Sequence, residues 1–130
     1  MGFYTHAGFL QGLVEAGFWP GHFAGASSGG LVAAFAASGM TPKEILEVLL
    51  SLRFRTAFFE AGMLVGLPYL PVFRRRYSGA TKGKRILAFL KGVLKDLQIE
   101  DCENKLGIAV TNLTQVRAEV RESGPLAETI

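Results

Sequence analysis

Two adjacent serines stand among glycines in the stretch HFAGASSGGLVAAFAASG, residues 22–39. Within it, Gly25 to Gly29 match the pattern G-x-S-x-G, whose central serine is Ser27. A strand that turns sharply into a helix displays such a serine at the turn, and glycines two residues to either side avoid steric clashes there. We therefore predict that Gly25, Ser27 and Gly29 form a nucleophile elbow in which Ser27 attacks a carbonyl carbon.

The helix that follows Ser27 adds chemistry of its own. The N-terminus of a helix carries unpaired N–H groups and a positive dipole end, which favour negative charge developing on an attacked carbonyl oxygen. The backbone N–H of Ser28 is the candidate oxyanion donor. The Ser28 side chain does not fit the pattern, because the residues two positions away are Ala26 and Gly30. The alternative is a Ser/Gly turn that simply caps a helix.

A nucleophilic serine needs a base, and the two histidines are poorly placed for that role. His6 and His22 both precede Ser27, whereas the histidine of an α/β-hydrolase follows its serine. We expect both histidines to be structural, and the residue order argues against an ordinary α/β-hydrolase.

The elements that must position these residues alternate between helical and strand patterns. Apolar spacing and turn residues predict helices over 4–17, 28–39 and 86–97, and strands over 22–26, 106–113 and 117–122. A further helix begins with Thr41 as N-cap, Pro42 in its first turn and Glu44 completing a capping box. Its predicted apolar face consists of Ile45, Val48, Leu49 and Leu52. Residues 61–83 are predicted to be irregular. This alternation predicts an α/β fold with an at least partly parallel sheet.

Composition limits the class of protein. The chain has 130 residues, 49% of them hydrophobic, which suits a single domain with a real core. Cys102 is the only cysteine, so no internal disulfide forms. We see no signal peptide and no apolar stretch of about 18 residues, and we expect a cytoplasmic or peripheral membrane protein. We expect no metal ion and no cofactor.

Positive charge is concentrated in the middle of the chain. Residues 61–95 hold eight basic and no acidic side chains. Within them, apolar residues ending at Phe73 adjoin Arg74, Arg75 and Arg76, which suits peripheral contact with an anionic membrane. A solvated charged face is the alternative. A nucleic-acid patch is a third interpretation, but no recognised nucleic-acid-binding fold surrounds it, so we expect no nucleic-acid partner.

Several motifs in order resemble the patatin-like phospholipase family. The pattern H-x-G-[VFA]-L corresponds to His6–Leu10, the elbow G-[TA]-S-[ASM]-G-[GA] to Gly25–Gly30, and G-[ML]-x-P-x-E-[IL] to Gly39–Ile45. The resemblance is strong over residues 2–50 and 105–130 and weak over residues 51–104.

This resemblance implies a three-layer α/β fold with a mostly parallel central sheet, and a Ser–Asp dyad that hydrolyses lipid esters through an acyl-enzyme at Ser27. The family's aspartate lies in a D-G-[GA] motif, and neither Asp96 nor Asp101 is followed by glycine. Gly2 corresponds to the last glycine of the family's oxyanion loop. We therefore expect residues 1–130 to be one partial domain, with the first strand and the aspartate outside it, and with little activity alone. A non-catalytic lipid- or anion-binding module is the alternative function.

Overall fold

The computed structural model describes residues 2–58 and 83–130. In chain order the described elements are α1 (Gly2–Glu15), β1 (His22–Gly25), α2 (Ser27–Ala37), α3 (Pro42–Leu50), α4 (Leu52–Phe58), α5 (Lys84–Leu94), a 3-10 helix (Ile99–Asp101), β2 (Lys105–Asn112), β3 (Arg117–Arg121) and α6 (Leu126–Thr129).

The three described strands form one sheet in the order β1-β2-β3. The pair β1–β2 is parallel, with Phe23 opposite Leu106. The pair β2–β3 is antiparallel, with Ala109 opposite Val120. The prediction of an α/β fold with a partly parallel sheet is therefore confirmed.

Helix α2 lies at the centre of the packing. Every residue from Gly30 through Ala37 is buried, and α2 packs against β1, β2 and α1. A helix that is apolar on all sides must be enclosed on all sides, and four of its last five residues are alanines, whose small side chains let neighbours approach closely. The sheet and α1 therefore hold the start of α2, at Ser27, in a fixed place.

An aromatic cluster joins the helices on one side of α2. The ring of Phe3 on α1 lies edge-on to Phe54 and to Phe58 on α4, with centroids 5.5 Å and 4.9 Å away. Phe54 also contacts Phe89 on α5 at 5.7 Å. Edge-to-face pairs of this kind contribute roughly 0.5–1.5 kcal/mol each beyond their buried area. The cluster fixes α1, α4 and α5 relative to one another.

The predicted capping box at the start of α3 is confirmed. The backbone N–H of Glu44 donates to Thr41 Oγ1 at 3.3 Å, and the backbone N–H of Thr41 donates to Glu44 Oε2 at 2.8 Å. Helix α1 begins two residues before the predicted start, and it ends at Glu15, just before Gly17 with φ +79°.

The prediction that Leu52 shares the apolar face of α3 is wrong. Helix α3 ends at Leu50, and Ser51 is extended with ψ 144°. Ser51 Oγ then accepts a hydrogen bond from the backbone N–H of Phe54 at 3.1 Å, which starts the separate helix α4. Leu52 falls in the first turn of α4 and is 74% exposed.

The predicted helix over 86–97 is shorter than its apolar pattern suggested. Helix α5 ends at Leu94, because Lys95 adopts φ +55° and breaks the helical path. Leu97 is half-buried in the connection that follows. Apart from Gly83, the segment 61–83 that was predicted to be irregular lies outside the described residues.

Candidate active site

The chain turns from β1 into α2 within a single residue. Gly25 ends the strand, Ala26 is extended with φ −127° and ψ 146°, and Ser27 begins the helix. Ser27 has φ +51°, in the left-handed region that costs a non-glycine residue about 1–2 kcal/mol. Its side chain is exposed. The sharp strand-to-helix turn expected around Ser27 is therefore present.

Gly25 is a glycine because α2 begins directly above it. A methyl group at Gly25 would lie 2.5 Å from the carbonyl carbon of Gly29 and 2.6 Å from the nitrogen of Gly30. Both are backbone atoms and cannot rotate away. A methyl group at Gly29 would meet only the His6 ring, at 3.4 Å, which is ordinary contact. The steric demand of the turn thus lies at Gly25 rather than equally at both flanking glycines.

Two backbone donors in the first turn of α2 have no acceptor in the described part of the chain. The N–H groups of Gly29 and Gly30 both donate to the carbonyl of Ala26, at 3.0 Å and 3.2 Å. Ala26 has no side-chain oxygen to cap the helix. Among the described residues, nothing accepts a hydrogen bond from the backbone N–H of Ser27 or of Ser28. A free N–H beside an exposed hydroxyl can donate to an oxygen that becomes negative when the hydroxyl attacks its carbon.

Gly2, the first residue of α1, lies next to this turn. A methyl group at Gly2 would lie 2.6 Å from Ser28 Oγ, so the first residue of α1 and the elbow nearly touch. That the Gly2 backbone takes part in an oxyanion hole stays a prediction.

Ser27 and Ser28 border an apolar cleft of about 440 Å³. Its walls come from α1, α2, α4, α5 and α6. Its apolar lining consists of Phe3, Leu31, Phe58, Ile86, Leu87, Leu90, Ala127 and Ile130. Gly83, Lys84 and Glu128 complete the described lining. The cleft therefore offers a hydrophobic surface that begins at the exposed serine.

Within the described residues, no carboxylate is hydrogen-bonded to either serine. Glu128 lines the cleft, but its carboxylate is paired with Lys91 at 2.6 Å. Asp96 and Asp101 are exposed and do not line the cleft. The structure thus gives no reason to assign the base to Asp96 or Asp101, in agreement with their lack of a following glycine.

The two histidines lie at different ends of β1. His22 is the first residue of the strand and borders a second groove with Cys102, Glu103 and Lys105. His6 is exposed on α1, and its ring lies against Gly2 and Gly29 at the elbow. Sequence reasoning missed this approach of His6, although its spacing of four residues from Gly2 places both on one helix face.

The residues proposed to contact a membrane surface lie outside the described part of the chain. These are Phe73, Arg74, Arg75 and Arg76, and the predicted contact with an anionic membrane stays a prediction. None of the helices over residues 2–58 and 83–130 has the length and apolar character needed to cross a bilayer.

Comparison with known proteins supplies the wider context for this geometry. A model of the family described as "Patatin-like phospholipase" matches residues 1–128. A comparison with curated proteins found no match. The family match covers nearly the whole chain, and the described α/β elements are consistent with an incomplete patatin-like fold. The chain belongs to the patatin-like phospholipase family, and this membership suggests lipid acyl hydrolase activity.

Proposed function

We propose that this chain is the nucleophile-bearing part of a carboxylic ester hydrolase that acts on lipids, with Ser27 as the nucleophile. The observation that carries the proposal is the position of Ser27. Its side chain is exposed, its backbone has φ +51°, and it stands at the mouth of an apolar cleft. Strained backbone at an exposed nucleophilic group is characteristic of functional sites.

The chemistry follows from the groups at the turn. Ser27 Oγ bonds to the ester carbonyl carbon while its proton passes to a base, and the carbonyl oxygen becomes an oxyanion. The free N–H of Ser28 donates to that oxyanion. The C–O bond to the alcohol then breaks, the base returns the proton to the leaving oxygen, and an acyl-enzyme remains at Ser27. Water repeats the sequence and releases the fatty acid.

The base in this proposal is the aspartate of the family's Ser–Asp dyad, which lies outside these 130 residues. The dyad does not need a histidine, which suits the positions of His6 and His22 before Ser27. No metal ion or cofactor takes part in the proposed steps.

The cleft is suited to the acyl chain of the substrate. Its volume of about 440 Å³ lies within the range of roughly 300–1,000 Å³ for small-molecule sites. Leu31, Leu87 and Leu90 line it, and each methylene group buried against such walls contributes about 0.8 kcal/mol. We expect turnover to rise with acyl chain length until the cleft is filled.

The test is turnover of p-nitrophenyl laurate by the protein extended to include the dyad aspartate. Ser27→Ala should lower kcat by at least about 10³-fold. Ser28→Ala is the matched control, because it removes a neighbouring hydroxyl and keeps the backbone N–H. It should retain activity within about tenfold. Equal loss in both variants, or no loss in Ser27→Ala, would refute the assignment of the nucleophile.

A non-catalytic lipid- or anion-binding module is the second candidate. The observation in its favour is that no carboxylate contacts Ser27 or Ser28 among the described residues. Binding of a lauroyl ester without Ser27-dependent turnover in the extended protein would favour this module over the enzyme.

A further inference from the structure

His6 presents an unsatisfied imidazole to the nucleophile elbow. Its side chain is exposed, and within the described residues it makes no hydrogen bond. The ring nevertheless has a fixed position. A methyl group at Gly2 would lie 3.4 Å from Nε2, and one at Gly29 would lie 3.4 Å from Nε2 and 3.5 Å from Cε1. The Nε2 edge of the ring therefore faces the first turn of α2.

His6 lies beside the elbow but does not line the apolar cleft. Phe3, three residues before His6, lines the cleft, whereas His6 does not. Ser28 borders the cleft with its backbone neighbour Ser27, and Ser28 Oγ and His6 Nε2 both approach the same point beside Gly2. Ser28 thus borders the apolar cleft and also lies near the imidazole of His6.

An ester bound for attack has two parts that leave the carbonyl in different directions. If the acyl chain fills the cleft lined by Leu31 and Leu87, the alcohol part must extend away from the cleft. His6 is a titratable side chain that flanks the elbow outside the cleft lining. An imidazole carries at least one N–H donor in either protonation state, and phosphate oxygens are strong acceptors.

We propose that His6 is a specificity-determining residue that donates a hydrogen bond from its imidazole to the phosphate in the alcohol part of the lipid ester. This inference rests on the proposed function, because it takes the acyl chain to occupy the cleft beside Ser27. The positive end of the α2 dipole lies at the same turn and favours an anionic group there.

The test measures binding rather than turnover, so that it does not depend on the base. The 130-residue chain carrying Ser27→Ala is titrated by calorimetry with lauroyl lysophosphatidate and with monolaurin, below their micelle-forming concentrations. The two ligands share an acyl chain and differ in the phosphate. Glycerol 3-phosphate, which lacks the acyl chain, is the third ligand.

We expect lauroyl lysophosphatidate to bind more tightly than monolaurin. Adding His6→Ala should weaken lysophosphatidate binding by about tenfold, the effect of one hydrogen bond to a charged group, and leave monolaurin binding unchanged. His6→Gln should restore part of the difference in affinity between the two esters, since the glutamine amide can donate a hydrogen bond at a similar reach. His22→Ala, at the other end of β1, is the matched control and should change neither value.

Each other outcome overturns a defined part of the reasoning. An advantage of lysophosphatidate that survives His6→Ala overturns the inference alone. An equal loss of binding affinity for both esters in His6→Ala shows that His6 only supports the fold of the turn, and this result also overturns the inference. Glycerol 3-phosphate binding as tightly as lysophosphatidate would point to a free-phosphate site instead. Failure of both esters to bind would overturn the proposed function together with this inference.

Discussion

Gly25→Ala is the substitution that tests the elbow most directly. The added methyl group would lie 2.5 Å from the carbonyl carbon of Gly29 and 2.6 Å from its carbonyl oxygen. Ordinary contacts of a methyl carbon begin near about 3.4 Å, so the start of α2 must move by close to 1 Å. Because these are backbone atoms of a buried helix, no side-chain rotation relieves the clash.

The expected cost is large for a chain of this size. Overpacking in a well-packed region costs about 1–3 kcal/mol, and here it displaces the central helix. We expect Gly25→Ala to lower the free energy of unfolding by about 2–3 kcal/mol, a large share of the roughly 5–15 kcal/mol typical of whole domains.

Gly12→Ala is the matched control. Gly12 is exposed within α1, and a methyl group there would have no atom within 4 Å. Alanine is the better helix former by about 0.5–1 kcal/mol, so this variant should gain stability by that amount. The same substitution of alanine for glycine is therefore expected to lower the free energy of unfolding at Gly25 and to raise it at Gly12.

The assay is urea unfolding followed by far-UV circular dichroism, with the midpoint and the slope fitted for each variant. A slope that stays constant while the midpoint falls in Gly25→Ala supports a clash in the native state. If Gly25→Ala unfolds within about 0.5 kcal/mol of the wild type, the tight approach of strand and helix is not what requires glycine, and the structural argument for the elbow fails.

Two further predictions rest on the structure and a third rests on the sequence. Ser27→Ala should change the free energy of unfolding by no more than about 0.5 kcal/mol, because its hydroxyl has no hydrogen bond within the described residues, and a loss above about 2 kcal/mol in urea unfolding would contradict this. Thr41→Ala should destabilise the chain by about 1 kcal/mol through loss of the N-cap. The side-chain and backbone hydrogen bonds of Thr41 hold the pKa of Glu44 below its usual 4.5, so the stabilisation from the ionised Glu44 carboxylate is present above pH 4.5 and lost as the pH falls through the lowered pKa. If the difference in the free energy of unfolding between the wild type and Thr41→Ala stays constant down to pH 3, this pH dependence is refuted. Arginines 74–76 should make binding of the protein to vesicles depend on anionic lipid, and this binding, measured by co-sedimentation, should weaken as salt is added. Equal binding to neutral vesicles at high salt would rule out an electrostatic contact.

The elements around the elbow could be predicted because their causes are local. The glycines of residues 25–29 and the capping residues of Thr41–Glu44 act on their own neighbours, so the sequence carries the whole explanation. The break at Ser51 was missed for a related reason. The apolar spacing of α3 continues to Leu52, but the backbone is extended at Ser51, whose hydroxyl accepts a hydrogen bond from the Phe54 N–H at the start of α4.

The cleft and the position of His6 could not be predicted in the same way. The cleft walls combine Phe3 near the beginning of the chain with Leu87 and Ile130 near its end, and no pattern in one segment specifies that meeting. His6 also looks like an ordinary helix residue until α1 packs against α2. Long-range packing of this kind depends on the fit of many side chains together, which periodicity does not encode.

The two adjacent serines show how backbone geometry can separate side chains of identical chemistry. Among the described non-glycine residues, positive φ occurs at Ser27, Lys95 and Val116, and Ser28 already follows the helical path. That difference turns the Ser27 hydroxyl outward and places Ser28 Oγ half-buried beside Gly2. The strain at Ser27 persists because α2 is buried from Gly30 onward and cannot shift to relax one residue. The buried alanine-rich helix is therefore the physical reason that the Ser27 side chain is exposed, while the backbone N–H of Ser28 has no partner among the described residues.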